Sequence, residues 1–147
     1  KSMAKTSGYY LNPTSGNLTI QQGDVPDREG DLVVYIEYAT GDPEDNTVDI
    51  NFTWPSMTEG RALIVIRNGG AILTGSAIGS LQGSVYSPDG PVEAHGSGNG
   101  NFTGFIWGKG MVDIGNFPFY MTEDFLSDPP FYAWTVVRQT AWTEVDR

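Results

Sequence analysis

Short apolar runs separated by turn residues dominate the hydrophobic pattern of this chain. β-Branched and aromatic residues alternate with clusters of Gly, Pro, Asp and Asn, which is typical of β-strands joined by tight turns. Helical periodicity is weak, and only Thr122–Leu126 has a cap residue followed by acids, as in a helical turn. The predicted strands are Asn17–Gln21, Asp31–Ala39, Thr47–Trp54, Ala62–Arg67, Ala71–Thr74, Ser84–Ser87, Val92–His95, Gly104–Trp107, Met111–Ile114 and Phe131–Trp142. The pattern therefore predicts an all-β fold.

The middle of the chain repeats at a regular interval, and the same spacing separates Gly69 from Gly90 and Gly83 from Gly104. A period near 20 built from short strands is typical of a β-solenoid, whose stacked rungs form parallel ladders around a shared apolar core. We therefore predict a short parallel β-solenoid of about three rungs over residues 60–116. An antiparallel sandwich with evenly spaced hairpins is the alternative.

The repeat also predicts a register. Ile64, Val85 and Ile106 should stack in one inward column, and Gly69 and Gly90 should share a corner, where glycine accepts a positive φ. The strands that carry these residues should then pair in parallel.

The segments on either side of the repeat are predicted to cover its ends. A solenoid exposes unpaired strand edges at both ends, and these edges need protection. Residues 1–59 are expected to form N-terminal strands or a cap. Residues 117–147 are expected to form a loop and a long closing strand, so that the whole chain is one domain with flanking cap strands.

Residues 60–145 resemble the C-terminal domain of PilX-type, minor-pilin-like proteins associated with type IV pili. The matching residues are Gly83, Val85, Tyr86, Ser87, Pro88, Asp89, Gly90, Gly104, Ile106, Gly108, Lys109, Gly115 and Asn116. The resemblance implies a right-handed β-solenoid, carried by a pilin-type N-terminal helix and exported to a pilus. The chain starts at Lys1 with no signal peptide in view, and we interpret it as a fragment or a processed product.

Composition narrows the classes of function. The formal net charge of −10 disfavours binding to nucleic acid and to anionic membranes. Cysteine is absent and there is one histidine, so thiol chemistry is excluded and most zinc sites are disfavoured.

An enzyme is one alternative, since parallel β-helices often cleave polysaccharides with paired carboxylates. The candidates are Asp89, Glu93, His95, Lys109 and Asp113, and Glu93 with Asp113 would form a pair if they stack on adjacent rungs. Turn geometry and strand alternation already explain these positions, so we expect no catalytic site and no cofactor.

Calcium is the one metal for which the sequence offers candidate ligands. Asp42, Glu44, Asp45, Asn46 and Asp49 place five oxygen-bearing side chains close together, as hard cations prefer. A second acidic stretch contains Asp24, Asp27, Glu29 and Asp31. The alternative, which we favour, is acidic loops kept soluble by their charge.

Aromatic residues supply the candidate interface. Those with a potential role in a sugar-stacking platform or a subunit contact are Tyr9, Tyr10, Trp54, Trp107, Phe117, Phe119, Tyr120, Phe131, Tyr132, Trp134 and Trp142. We expect a docking surface for a neighbouring subunit that is formed by Phe117, Phe119, Tyr120, Trp134 and Trp142. The alternative is that these segments fold back as a lid over the last rung.

The features together favour a structural or adhesive extracellular domain of a pilus or pilin-like surface filament. Its partners would be other filament subunits or a surface glycan. A polysaccharide-active β-helix enzyme and a bactofilin-like polymerising scaffold remain alternatives, and a free apolar solenoid end would favour the scaffold.

Overall fold

The computed structural model describes residues 6–24, 31–52, 61–74, 82–95, 102–110, 112–114 and 119–120. The strands are β1 (Thr6–Leu11), β2 (Asn17–Gln21), β3 (Asp31–Glu37), β4 (Thr47–Asn51), β5 (Ala62–Arg67), β6 (Gly70–Thr74), β7 (Gln82–Ser87), β8 (Val92–His95), β9 (Phe102–Gly108), β10 (Val112–Ile114) and β11 (Phe119–Tyr120). One short 3₁₀ turn, Gln22–Asp24, follows β2. Within the described residues, no helix is long and apolar enough to cross a membrane.

The strands form two parallel sheets, which confirms the predicted all-β parallel solenoid. One sheet has six strands in the order β1-β3-β5-β7-β9-β11, and the other has five in the order β10-β8-β6-β4-β2. Successive strands alternate between the sheets, so each turn of the chain adds one strand to each. Every strand pairing in the described part of the chain is parallel, which is incompatible with the antiparallel sandwich.

The solenoid is longer than the expected three rungs, because the N-terminal segment belongs to it. Strands β1 to β4 pair in the same ladders as the central strands, so they add two further rungs and do not form a separate cap. Thr6 pairs with Asp31, and Leu32 pairs with Ala62. Both separations along the chain exceed the regular interval of the central repeat, which is why these rungs are not visible as repeats in the sequence.

The predicted central register is correct. Ile64 pairs with Val85, and Val85 pairs with Ile106. Ile64 and Val85 are fully buried, and Ile106 packs against the core from a partly buried position. Strand alternation thus turns this column inward.

The core lies between the two sheets and is aliphatic, with two aromatic rings. The inward residues of the six-stranded sheet and those of the five-stranded sheet belong to one buried cluster. The largest fully buried side chains are Tyr38, Phe52, Leu32, Ile36, Ile50, Ile64, Ile66 and Leu73. Complete burial of side chains of this size contributes about 1.5–3 kcal/mol each.

The corner that leads from the six-stranded to the five-stranded sheet is tightly packed. Gly69 and Gly90 stack there, as predicted, and a Cβ on Gly90 would lie 2.5 Å from the carbonyl carbon and oxygen of Gly69. The expected positive φ is wrong for both glycines, since neither adopts one. The side chain of Asn46 is fully buried in the same corner, where it bonds to backbone groups of three turns.

The N-terminal end of the solenoid is apolar. Tyr9 and Leu11 occupy inward positions of β1, in register with Val34 and Ile36, and both are exposed. Among the described residues, no strand pairs with the outer edge of β1 or of β2.

Several predicted elements lie outside the described residues. These are the helical turn Thr122–Leu126 and the closing strand Phe131–Trp142, so both remain predictions. Strand β1 was not predicted, because Thr6, Ser7 and Gly8 give its sequence a polar start with no apolar alternation.

Candidate functional site

The outward surface of the six-stranded sheet carries a row of aromatic residues. In β3, Val34 and Ile36 point into the core, so Tyr35 between them faces outward. The parallel register aligns Tyr35 with one residue on each neighbouring rung. The aromatic row defined in this way is Tyr10, Tyr35, Val65, Tyr86 and Trp107.

Much of the aromatic surface in this row is accessible to solvent. Tyr10 is 44%, Tyr86 37% and Trp107 54% exposed. The rings of Tyr10 and Tyr35 stack with centroids 5.6 Å apart and planes 14° apart. Val65, the smallest member, is buried, so the row dips between Tyr35 and Tyr86. The result is a strip of aromatic surface that is interrupted by one step at Val65.

A second outward row widens this strip. Its members, two positions earlier on each strand, are Gly8, Val33, Leu63, Ser84 and Phe105. The rings of Phe105 and Trp107 lie 6.2 Å apart, with their planes 28° apart. We call the face formed by the two rows the aromatic face. In its second row, Ser84 is the one residue with a hydroxyl side chain.

A polar rim borders the aromatic row where the strands approach the corner. The hydroxyl of Tyr10 donates to Glu37 Oε2 at 3.4 Å and accepts from Asn12 Nδ2 at 3.3 Å. Arg67 Nε lies 2.7 Å from Asp89 Oδ2, which also accepts from Asn68 N at 3.1 Å. The rim therefore offers hydrogen-bonding groups beside the aromatic rings.

The charges of this rim balance one another. Glu37 pairs in register with Arg67, and Arg67 forms an ion pair with Asp89. Burial alone would raise the pKa of Asp89. The hydrogen bonds from Arg67 and Asn68, with the positive charges of Arg67 and Lys109, outweigh that effect and lower the pKa below its usual value. The hydrogen bond to Asp89 in turn raises the pKa of Arg67.

The five-stranded sheet carries three of the enzyme candidates, Glu93, His95 and Asp113, whereas Asp89 and Lys109 lie in turns at the rim of the aromatic row. The register places Asp113 next to Glu93 on adjacent rungs, the arrangement on which the carboxylate pair depended. His95 Nε2 lies 2.7 Å from Glu93 Oε2, and both side chains are exposed, by 56% and 37%. Water therefore reaches both members of this pair.

The proposed calcium ligands are not brought together. The Asp42 carboxylate accepts from Glu44 N, and Asp45 N donates to Asp42 O, so these acids shape a turn. Asp49 lies on β4 and accepts from Thr74 Oγ1 at 2.6 Å. In the part of the chain that the structure describes, no three acidic or histidine side chains are grouped to hold a metal ion.

The remaining acidic and amide candidates also have local structural partners. Asn46 uses its amide for backbone hydrogen bonds at the corner, which removes it from the candidate ligands. Asp24 accepts from Gln21 N, and Asp31 accepts from Arg61 N. Asp27 and Glu29 lie outside the described residues.

The predicted docking surface falls largely outside the described part of the chain. Phe117, Trp134 and Trp142 are not described, and Phe119 and Tyr120 are known only as the backbone of β11, in register with Phe102 and Thr103. That docking surface therefore stays a prediction.

Two members of the aromatic row, Tyr10 and Trp107, are among the aromatic candidates predicted from the sequence, whereas Tyr35 and Tyr86 are not. The missed signal was the solenoid period itself. Tyr86 and Trp107 are separated by the same interval as Val85 and Ile106, the spacing that predicted the inward column.

No protein-family model matches the chain. No solved structure matches it either.

Proposed function

We propose that this chain is a structural, adhesive domain of a pilin-like surface filament, and that the aromatic face is its adhesive surface. The observation that carries the proposal is the register-aligned row in which Tyr10, Tyr86 and Trp107 are exposed. The resemblance of residues 60–145 to minor-pilin-like domains supports the filament and an extracellular location.

The composition of the aromatic face is typical of a contact surface. The outward side of a solvated sheet is ordinarily polar, whereas aromatic residues are enriched where proteins bind partners. Large exposed aromatic groups that are contiguous in space are a further mark of binding sites.

The rigidity of the sheet also supports the proposal. Tyr35, Val65 and Tyr86 lie on strands that are paired on both sides, so the backbone beneath them is held in place before any partner arrives. Preorganisation of this kind reduces the entropy lost on binding.

A non-catalytic role fits the opposite sheet. Glu93 and His95 form a solvent-exposed pair on a flat strand surface. Catalytic acids and bases usually lie in an enclosed cleft, whereas both side chains of this pair are open to water.

Adhesion under flow tests the proposal. Beads coated with the full chain would be passed over a cellulose film, immobilised collagen and passivated glass, and the retained beads counted. We expect retention on at least one of the first two surfaces and a large loss with the double variant Tyr86→Ser/Trp107→Ser, because it removes the two best-exposed aromatic groups of the later rungs.

The matched control is Tyr9→Ser. Tyr9 has the same exposed fraction as Tyr86, 37%, but occupies an inward position at the end of the solenoid. Retention of the double variant at the level of the wild type, or no retention of the wild type on either coated surface, would contradict the proposal.

The polymerising scaffold is a second candidate, favoured by one observation. Tyr9 and Leu11 give the N-terminal end an exposed apolar surface beside the outer edge of β1. Light scattering of the purified chain separates the two candidates, since end-to-end stacking would give chains whose length grows with concentration, and an adhesive domain needs no such growth.

A further inference from the structure

We propose that the aromatic face binds a neutral, β-1,4-linked polysaccharide chain that lies along the solenoid axis, across the strands. This inference rests on the proposed adhesive function and names the ligand class of that surface.

The repeat of the row matches a repeating ligand. Neighbouring strands are about 4.8 Å apart, so the row offers a contact position at that interval along the axis. This interval is close to the length that one sugar ring and its glycosidic bond add to an extended glycan. The positions from Tyr10 to Trp107 cover five successive rungs, and all but the buried Val65 carry an aromatic ring, so several sugars would be contacted together.

The chemistry of the side chains suits sugars. The C–H groups on the flat side of a pyranose ring are attracted to electron-rich aromatic rings, and the ring hydroxyls need hydrogen-bonding partners. Tyrosine supplies an apolar ring and a hydroxyl in one side chain. The rim adds the carboxylate of Glu37 and the Arg67–Asp89 pair beside the row.

The charge on this side of the molecule favours a neutral ligand. Two acids, Glu37 and Asp89, are balanced by two bases, Arg67 and Lys109, at the rim. Among the described residues of the rim there is no excess positive charge to attract an acidic polymer, and the net charge of −10 on the chain opposes one. A polycation would bind more strongly to the outward side of the five-stranded sheet, which carries Asp49 and Glu93.

The shape of the face favours a β-1,4 linkage. Chains with this linkage are extended ribbons with flat sides, whereas α-1,4-linked glucans coil. A ribbon can follow the strip from Tyr10 to Trp107 and cross the step at the buried Val65. Positions Tyr35 and Tyr86 on either side of this step are two rungs, or about 9.6 Å, apart.

Calorimetric titration of the full chain with defined oligosaccharides tests the inference. The probes are cellohexaose and chitohexaose as neutral β-1,4 ligands, maltohexaose as the α-1,4 control, and a heparin hexasaccharide as the acidic control. We expect the first two to bind and the controls not to bind. Tyr86→Ala and Trp107→Ala should each weaken binding about 3- to 10-fold, and Tyr9→Ala should leave it unchanged.

Circular dichroism melting curves establish that each variant is folded before titration. Absence of binding by both β-1,4 probes, equal affinity in Tyr86→Ala and the wild type, or tighter binding of maltohexaose or heparin would each overturn the inference. Binding of only one of the two β-1,4 probes supports it and identifies the sugar.

The two experiments distinguish an error in the glycan inference from an error in the proposed adhesive function. If no oligosaccharide binds but the double variant Tyr86→Ser/Trp107→Ser loses retention on collagen, the glycan inference is wrong and the adhesive function stands. If retention is insensitive to that variant on every surface, the adhesive function itself is wrong.

Discussion

A buried amide, that of Asn46, connects three successive rungs at the corner. Its oxygen accepts from Gly16 N at 2.8 Å, and its nitrogen donates to Thr40 O and Asn68 O at 2.9 and 2.8 Å. All three partners are backbone groups of turns, which have no ladder to satisfy them. Polar groups buried without partners are costly, so this residue determines whether the corner can close.

We therefore expect Asn46→Ala to lower the free energy of unfolding by roughly 2–4 kcal/mol, since three backbone groups lose their partner at once. Urea unfolding followed by circular dichroism measures this change. The control is Asn17→Ala, an exposed asparagine on β2, with an expected effect below about 0.5 kcal/mol. A loss smaller than about 1 kcal/mol in Asn46→Ala would show that the corner rearranges around the gap.

The ion pair between Arg67 and Asp89 makes stability depend on pH. The folded state lowers the pKa of Asp89, so folding favours the ionised carboxylate. Its contribution is fully present above the unfolded pKa of about 3.9 and is lost as the pH falls through the lower folded value. Arg67 is 46% and Asp89 28% exposed, so solvent screening limits the size of the effect.

We expect Asp89→Asn to cost about 0.5–1 kcal/mol at pH 7 and less near pH 2.5, because the contribution of the carboxylate shrinks once the pH is below the unfolded pKa of about 3.9. Urea unfolding of both proteins at the two pH values gives the comparison. A difference of equal size at both values would mean that the charge of Asp89 is irrelevant and that its geometry in the turn carries the effect.

At the scale of elements, the corner between the sheets sets how closely rungs approach. Gly90 lies against the backbone of Gly69 on the previous rung, and Gly69 lies against the ring of Tyr38. Any side chain at these positions must push the rungs apart. The close approach of backbones, and not a positive φ, is what excludes other residues from Gly90.

Gly90→Ala should therefore lower the unfolding free energy by roughly 1–3 kcal/mol, the usual cost of overpacking. Gly23→Ala is the matched control, because a Cβ there meets nothing within 4 Å, and it should be neutral or slightly stabilising. Thermal melting of both variants against the wild type measures the two effects. A melting temperature unchanged in Gly90→Ala would contradict the close approach of the rungs.

The central strands were predictable because their rungs have equal length. The regular repeat fixes the alignment of β5, β7 and β9, so Ile64, Val85 and Ile106 could be placed in one column from the sequence pattern alone. The N-terminal rungs have longer and unequal connections. The alternation of inward and outward residues within β3 is visible in the sequence. The pattern does not show which residue of β1 pairs with which residue of β3.

At the scale of the whole molecule, the two sheets present opposite surfaces. The outward side of the six-stranded sheet is aromatic with a balanced rim, and the outward side of the five-stranded sheet carries Asp49, Glu93 and His95. Further acids, Asp42, Glu44 and Asp45, lie in a corner turn. Segregation of charge in this way leaves one face free to make apolar contacts on a strongly acidic chain.

The candidate site was only partly predictable for a related reason. The sequence shows that Tyr10 and Trp107 are aromatic, but their alignment depends on the length of every rung between them. Only Tyr86 and Trp107, which share the regular spacing, could have been joined from the pattern. The residues that line up on a surface of several rungs can be predicted from the sequence only when the length of every intervening turn is known.

The parallel stacking of rungs makes the length of this molecule adjustable. Each rung contacts chiefly the rungs directly before and after it, so the insertion or loss of one unit of the central repeat would leave the others unchanged. Every added unit would extend the molecule by about 4.8 Å and place one more residue at the next position of the surface row. Duplication of a short stretch of coding sequence would thus lengthen the solenoid and its surface row together, without a new fold.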